Sequence, residues 1–160
     1  DFCGGMAIPL DDTDRRILSL LQDDSSITNV ALAEKLGLAP ATTLERVRKL
    51  ERSGVIRRYV ALVDAAKVDM GVMAFVEVQL ASHASRGVDG FSDAVTRLEQ
   101  VLECYHLTGE NDYLLKVIVP SIEAYEHFLL HGLTKVPNVG RVHTSLVLST
   151  VKHDTRLPIS

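Results

Sequence analysis

The densest run of chemically capable side chains in this 160-residue chain is cationic. Between Pro40 and Arg58 stand Arg46, Arg48, Lys49, Arg52, Arg57 and Arg58 against only Glu45 and Glu51, a net +4 over 19 residues. Guanidinium and ammonium groups at this density suit a row of phosphates, and the planar fork of an Arg also matches a guanine edge. Residues 59–160 carry 8 basic and 12 acidic residues, so the overall net charge of -4 averages two unlike halves. The alternative reading of the cationic run is a solvated helix face in which Glu45 pairs with Lys49.

Other chemistries find less support. His127 and His131 share a helix face at i,i+4, with Glu123 the nearest further ligand, but no HExxH occurs and no metal site is expected. Ser121, Ser145 and Ser149 lack a GxSxG setting, and there is no P-loop and no GxGxxG. The chain is therefore expected not to be an enzyme and to carry no cofactor. Cys3 and Cys104 form no CxxC; Cys104 is expected to be a small buried side chain. With 46% apolar and 24% charged residues the chain is too apolar to be disordered. Its aliphatic runs fall far below the roughly 18 residues a membrane helix needs. No signal peptide is seen, so a reduced cytoplasm is expected, without a membrane partner. Residues 1–7 read as a prefix outside the fold, with Met6 as the expected native start.

Three helices must position the cations. Asp11 is a suitable N-cap for a helix holding Ile17, Leu18, Leu20 and Leu21, with Asp12 and Asp14 in its first turn. Thr28 can cap a second helix over Asn29 to Leu36, stopped by Gly37. Pro40 opens a third, running to about Ser53 with Leu44, Val47 and Leu50 inward and Gly54 as the stop. Two helices joined by a short Gly-containing turn give a helix-turn-helix pattern. Val55–Val63 then reads as strand, a wing followed by an extended connector.

From Met70 the pattern is strand, helix, strand, strand, helix, strand. The expected strands are Val72–Ala81, Leu102–Thr108, Tyr113–Val119 and Arg141–Val151, and the expected helices are Val88–Val101 and Ser121–Leu133. Two βαβ units of similar length predict an α+β, ferredoxin-like βαββαβ sheet with both helices on one face. The other face, carrying Met73 and Phe75, needs cover, which a second copy would provide. The expected organisation is a helix-turn-helix unit over 8–58, a connector over 59–70 and a second domain over 71–160.

This layout assigns roles. The N-terminal end of the third helix faces base edges in a helix-turn-helix protein, which selects Ala41, Thr42 and Thr43. Arg46 and Lys49 lie on the outer face, Arg46 within reach of a guanine edge, while Arg57 and Arg58 serve phosphates. Double-stranded DNA is the expected partner.

The run Leu10-Asp11-x-x-Asp14-Arg15-x-Ile17-Leu18 and the run from Gly37 to Ile56 resemble the Lrp/AsnC transcriptional regulators. So do Glu103-Cys104, Thr108-Gly109-Glu110-Asn111-Asp112-Tyr113-Leu114-Leu115-Lys116 and Pro137-x-Val139. The resemblance spans about residues 8–157. It implies a winged helix-turn-helix followed by an effector (RAM) domain, and dimers that assemble to octamers or beyond. It also implies a small effector, commonly an amino acid, bound between dimers near Gly109 and Asp112, with Glu110 and Asn111 as neighbours. Gly109 would let backbone N–H groups approach a carboxylate and Asp112 could meet an ammonium. The other reading of these four residues is a polar turn. Where the family has Ser before Pro40, this chain has Ala39, which removes a helix cap. Two alternatives stay open: a ligand-independent architectural DNA-bundling protein and a small ferredoxin-like enzyme.

Overall fold

The computed structural model describes residues 9–159, so the expected prefix over 1–7 lies outside the described residues. The described chain falls into two compact units. The first comprises 9–62 together with 152–159, the second 63–151. The first unit thus combines the three-helix region with the last described residues of the chain.

In the first unit α1 spans Asp12–Asp23, α2 Asn29–Leu36 and α3 Pro40–Arg52. The helix starts follow from local chemistry. The Asp11 carboxylate accepts from the Asp14 N–H at 2.7 Å, and the Asp14 carboxylate accepts from the Asp11 N–H at 3.3 Å, a reciprocal capping box. The Thr28 hydroxyl accepts from the Ala31 N–H. Gly37, at φ +69°, supplies the left-handed turn that ends α2. Ile17, Leu18, Leu32, Leu36 and Leu50 form the core.

The expected strand over 55–63 is absent. These residues carry no ladder partner and are largely exposed. β-branched composition alone does not make a strand where no second strand is available to satisfy its backbone.

The second unit contains β1 (Val72–Leu80), α4 (Ser85–Val95), β2 (Val101–His106), β3 (Tyr113–Val119), α5 (Ile122–His127) and β4 (Val139–Leu146). The sheet order is β2-β3-β1-β4, antiparallel throughout, which is the ferredoxin-like arrangement. Val76 lies opposite Leu115 on one side and Thr144 on the other. Ala74, Val76, Val78, Leu115, Val117 and Val119 pack under Phe91, Val95, Tyr125, Phe128 and Leu133.

The boundaries differ from expectation for physical reasons. β4 ends at Leu146, not Val151, because its partner runs out: Leu146 faces Ala74 and the Val147 N–H bonds the Met73 carbonyl. α4 stops at Val95 and Val101 pairs with Val117 instead of closing the helix. The expected single helix over 121–133 continues beyond α5 as a π turn over Phe128–Gly132 and a 3-10 turn over Leu133–Lys135. On a regular α-helix Phe128 and Leu133 would point about 140° apart; the wider turn lets both reach the core. Cys104, expected to be buried, is exposed because β2 is an edge strand. The face opposite the helices carries Met73, Phe75, Leu114 and Ile118, with Phe75 exposed.

Truncating Leu115 to Ala in the sheet centre is expected to cost about 2–5 kcal/mol. Urea unfolding followed by a probe in the second unit checks this; an unchanged midpoint would place Leu115 outside the core.

Candidate nucleic-acid interface and effector site

Ala41, Thr42, Glu45, Arg46, Lys49 and Arg52, with Asp11 from α1, line one shallow open depression along α3. Ala41, Thr42 and Lys49 are exposed on it, as are Arg57 and Arg58 beyond it. Glu45 pairs with Arg48 at 3.5 Å and with Arg52 at 3.9 Å. The expected alternative pairing of Glu45 with Lys49 is not the one formed. The turn into α3 is pinned by Asn29, whose side-chain amide donates to the Pro40 carbonyl at 2.8 Å. Ala39 is the N-cap of α3 and makes no side-chain cap hydrogen bond.

One of the expected base-edge residues is placed otherwise, and a second is tied to α1. Thr43 is fully buried and its hydroxyl donates to the Ala39 carbonyl at 3.2 Å, so it packs beneath α3 and does not face outward. Arg46 spends one guanidinium nitrogen on two carboxylates, Asp11 at 2.7 Å and Asp14 at 2.8 Å. Asp14 is buried. The Asp11 carboxyl is held below its usual range first by the Asp14 N–H and then by the Arg46 guanidinium. The same two carboxylates raise the guanidinium of Arg46 still further above physiological pH. Arg46 therefore joins α3 to the start of α1.

In the second unit the turn between β2 and β3 holds the other predicted residues. Gly109 adopts φ +131°, open to glycine alone without strain, and a Cβ there would meet nothing. Gly109 and Glu110 are exposed. Asn111 donates to the Glu77 carboxylate at 2.9 Å, and His143 lies 3.6 Å from the same carboxylate oxygen. Asp112 is tied down at four points. Its N–H bonds the Val78 carbonyl, its carbonyl accepts from Leu107, one carboxylate oxygen accepts from the Leu80 N–H at 2.7 Å, and the other meets His83 at 2.9 Å. The Leu80 N–H, then His83, lowers the Asp112 carboxyl below its usual range. The structure thus brings the four residues together in one turn, with Asp112 serving as its anchor.

The comparisons decide the family. A model described as "Winged helix-turn-helix DNA-binding" matches residues 10–57, and one described as "Lrp/AsnC ligand binding domain" matches residues 73–157. The chain belongs to the Lrp/AsnC family of transcriptional regulators. It is 42% identical over 150 residues to the leucine-responsive regulatory protein of Escherichia coli K12, covering 94% of this chain and 92% of that one. It is 37% identical over 154 residues to the transcriptional regulator AzlB of Bacillus subtilis, covering 96% and 98%. Among solved structures, a Neisseria meningitidis transcriptional regulator in complex with L-Met superposes with a TM-score of 0.89 at 38% identity, covering 94% of this chain and 97% of that one.

An Lrp/AsnC chain thus carries its DNA-binding helices and its ligand-binding sheet in separate units. Sequence reasoning missed the parts that are paired over long distances: Asp14 as the acceptor of Arg46, Asn29 as the pin of the turn, and Leu80 and His83 as the partners of Asp112. The only available signal was the Asp14 capping box, which marked that carboxylate for another duty.

Two outcomes are expected. Arg46→Ala strands the buried Asp14 carboxylate, so the first unit loses about 1–3 kcal/mol of stability, read by thermal unfolding. Asp112 titrates lower folded than unfolded, so its stabilising effect is complete above the ordinary carboxylate range and fades as pH falls through its lowered value. Asp112→Asn is expected to flatten that acid limb of an unfolding-versus-pH curve below about pH 4; an identical limb would show that the carboxylate does not anchor the turn.

Proposed function

We propose that this regulator binds operator DNA as a dimer or larger homo-oligomer, with two copies of α3 in successive major grooves. The observation that carries this reading is the outward face of α3, where Ala41 and Thr42 stand exposed at the helix start and Lys49 on the same depression. Ala41 and Thr42 meet base edges; Lys49, Arg57 and Arg58 meet phosphates. Arg46 holds α3 in place and Thr43 fills the interior beneath it. The copies join through the open sheet face bearing Met73 and Phe75, which a lone chain leaves partly uncovered.

The second unit takes an amino acid at the turn of Gly109, Glu110, Asn111 and Asp112. The support is the match to a ligand-binding domain and a relative solved with L-Met. Gly109 gives backbone access, while Asp112 keeps the turn in shape. Binding shifts the balance of assemblies by its differential affinity for them, and DNA occupancy follows. The protein works in the cytoplasm and performs no catalysis.

Lys49→Ala is expected to weaken binding to specific and unrelated DNA alike and to reduce the slope of log affinity against log salt by about 1. Thr42→Ala is expected to change preference at one base-pair position. An unchanged salt slope would remove Lys49 from the phosphate contacts. A melting screen against the amino acids, with sedimentation in parallel, tests the effector. Silence from all of them would favour ligand-independent DNA bundling by the same oligomer.

A further inference from the structure

The first unit is not one stretch of chain. It is built from residues up to Leu62 and from Lys152 onward, so the second unit is an insertion within it. The returning segment seats on the last turns of α1. The Gln22 side chain brackets the Leu157 backbone, accepting from its N–H at 2.7 Å and donating to its carbonyl at 3.2 Å. Arg156 reaches Asp23 at 3.0 Å and the Ser19 hydroxyl at 2.7 Å. Ile159 packs against the core of Ile17, Leu18, Leu32, Leu36 and Leu50. An Asp154 carboxylate oxygen accepts from the Arg156 N–H at 2.9 Å, which bends the segment into place.

This seating answers a defect in α1. Helix ends with negative partial charge favour cations, yet α1 has no basic residue in its last turn and closes on Asp23 and Asp24. Arg156 brings the missing cation from 133 residues away in the sequence. Gln22 contacts backbone atoms only, as a strand partner would, and the Leu157 side chain stays mostly exposed, so the side-chain contacts of Arg156 and Ile159 are what select the register.

We infer that residues 152–159 are a strap that completes the DNA-reading unit, and that DNA competence depends on its seating. α1 carries both the strap, at its last turns, and the carboxylates that hold Arg46 of α3, at its first. A loosened strap therefore frees the helix against which the DNA-facing helix is registered. The strap also gives the reading unit a second covalent connection to the ligand-binding unit, since β4 ends at Leu146 only five residues before it begins.

The test uses the full chain, a chain ending at Lys152, and the double substitution Gln22→Ala with Arg156→Ala. The double substitution guards against failure of the truncated chain to fold. Amide exchange of Leu20 to Asp23 is expected to rise at least ten-fold in both variants, while exchange in β1 and β3 stays unchanged. DNA affinity is expected to fall at least five-fold, and Arg156→Lys to recover part of both losses. Unchanged exchange in α1 would show that the strap is not seated in solution and overturn the inference. Faster exchange with unchanged DNA affinity would overturn it equally, leaving the segment a packing element. The inference rests on the DNA-binding reading only for the affinity arm; a wild-type chain that binds no DNA would refute that reading while the exchange arm still judges the strap.

Discussion

The reading unit depends on one buried carboxylate. Asp14 caps the first turn of α1 and accepts the Arg46 guanidinium from α3, so a single side chain fixes a helix start and a helix-helix register. A carboxylate this deeply buried is costly without partners, and it has found two. Such a pair adds less to net stability than its Coulomb attraction suggests, because both groups lose water. What it adds is direction. The wrong register of α3 on α1 would leave Asp14 buried and unpaired, whereas an apolar contact of the same size would tolerate sliding. A helix proposed to present Ala41, Thr42 and Lys49 to a regular lattice of bases and phosphates benefits from that discrimination.

The second unit uses the same device. Asp112 sits where β3 begins, and its carboxylate accepts the Leu80 N–H at the end of β1. β1 has a register shift between Gln79 and Leu80, where its pairing with β4 slips. A carboxylate that captures the Leu80 N–H beside that slip satisfies a donor near the interrupted ladder. The turn carrying Gly109 is consequently held at its base by main-chain bonds from Leu107 to Asp112 and from Asp112 to Val78, and open at its tip. Rigid base and accessible tip are what the ligand site proposed at this turn requires.

What was legible in the sequence was local. Caps at Asp11 and Thr28, the stop at Gly37 and the start at Pro40 each act within four residues, and all four stand where spacing put them. The sheet order followed from two βαβ units of similar length. The family resemblance, read from runs on both sides of residue 60, was shown by the matches to both domains. What was illegible was set by partners distant in the chain. Nothing in the period of α3 distinguishes Arg46, which is 32 residues from Asp14, from Lys49, which faces outward. Thr43 resembles its neighbour Thr42 in type, and only the packing of α3 on α1 and α2 buries one and exposes the other. Val55–Val63 has strand composition but no strand to pair with, and residues 152–159 look like a tail until Gln22 and Arg156 are seen to seat them.

These pairings change the arithmetic of the cationic run. Of its six basic side chains, Arg46 is committed to Asp11 and Asp14, while Arg48 and Arg52 share Glu45. Among the described residues Lys49, Arg57 and Arg58 form no ion pair, and these are the three proposed to meet phosphates. The pairs at Glu45 are exposed, and such pairs are weak enough, at about 0–1 kcal/mol, to exchange a carboxylate for a phosphate. On the proposed interface one reading unit offers three to five phosphate contacts, with a salt slope of roughly -3 to -4.5 at about -0.9 per contact. That is a shallow dependence for a protein that must hold its operator at cellular ionic strength. Local charge can steer α3 to DNA, and in the proposed oligomer the joining of several such units raises effective affinity without any new contact. The modest charge of α3 and the uncovered sheet face of the second unit are thus two sides of one requirement. On the proposed function, a reader too weak to act alone gains occupancy through assembly, and a ligand that shifts the assembly gains control of the DNA without touching the helix that reads it.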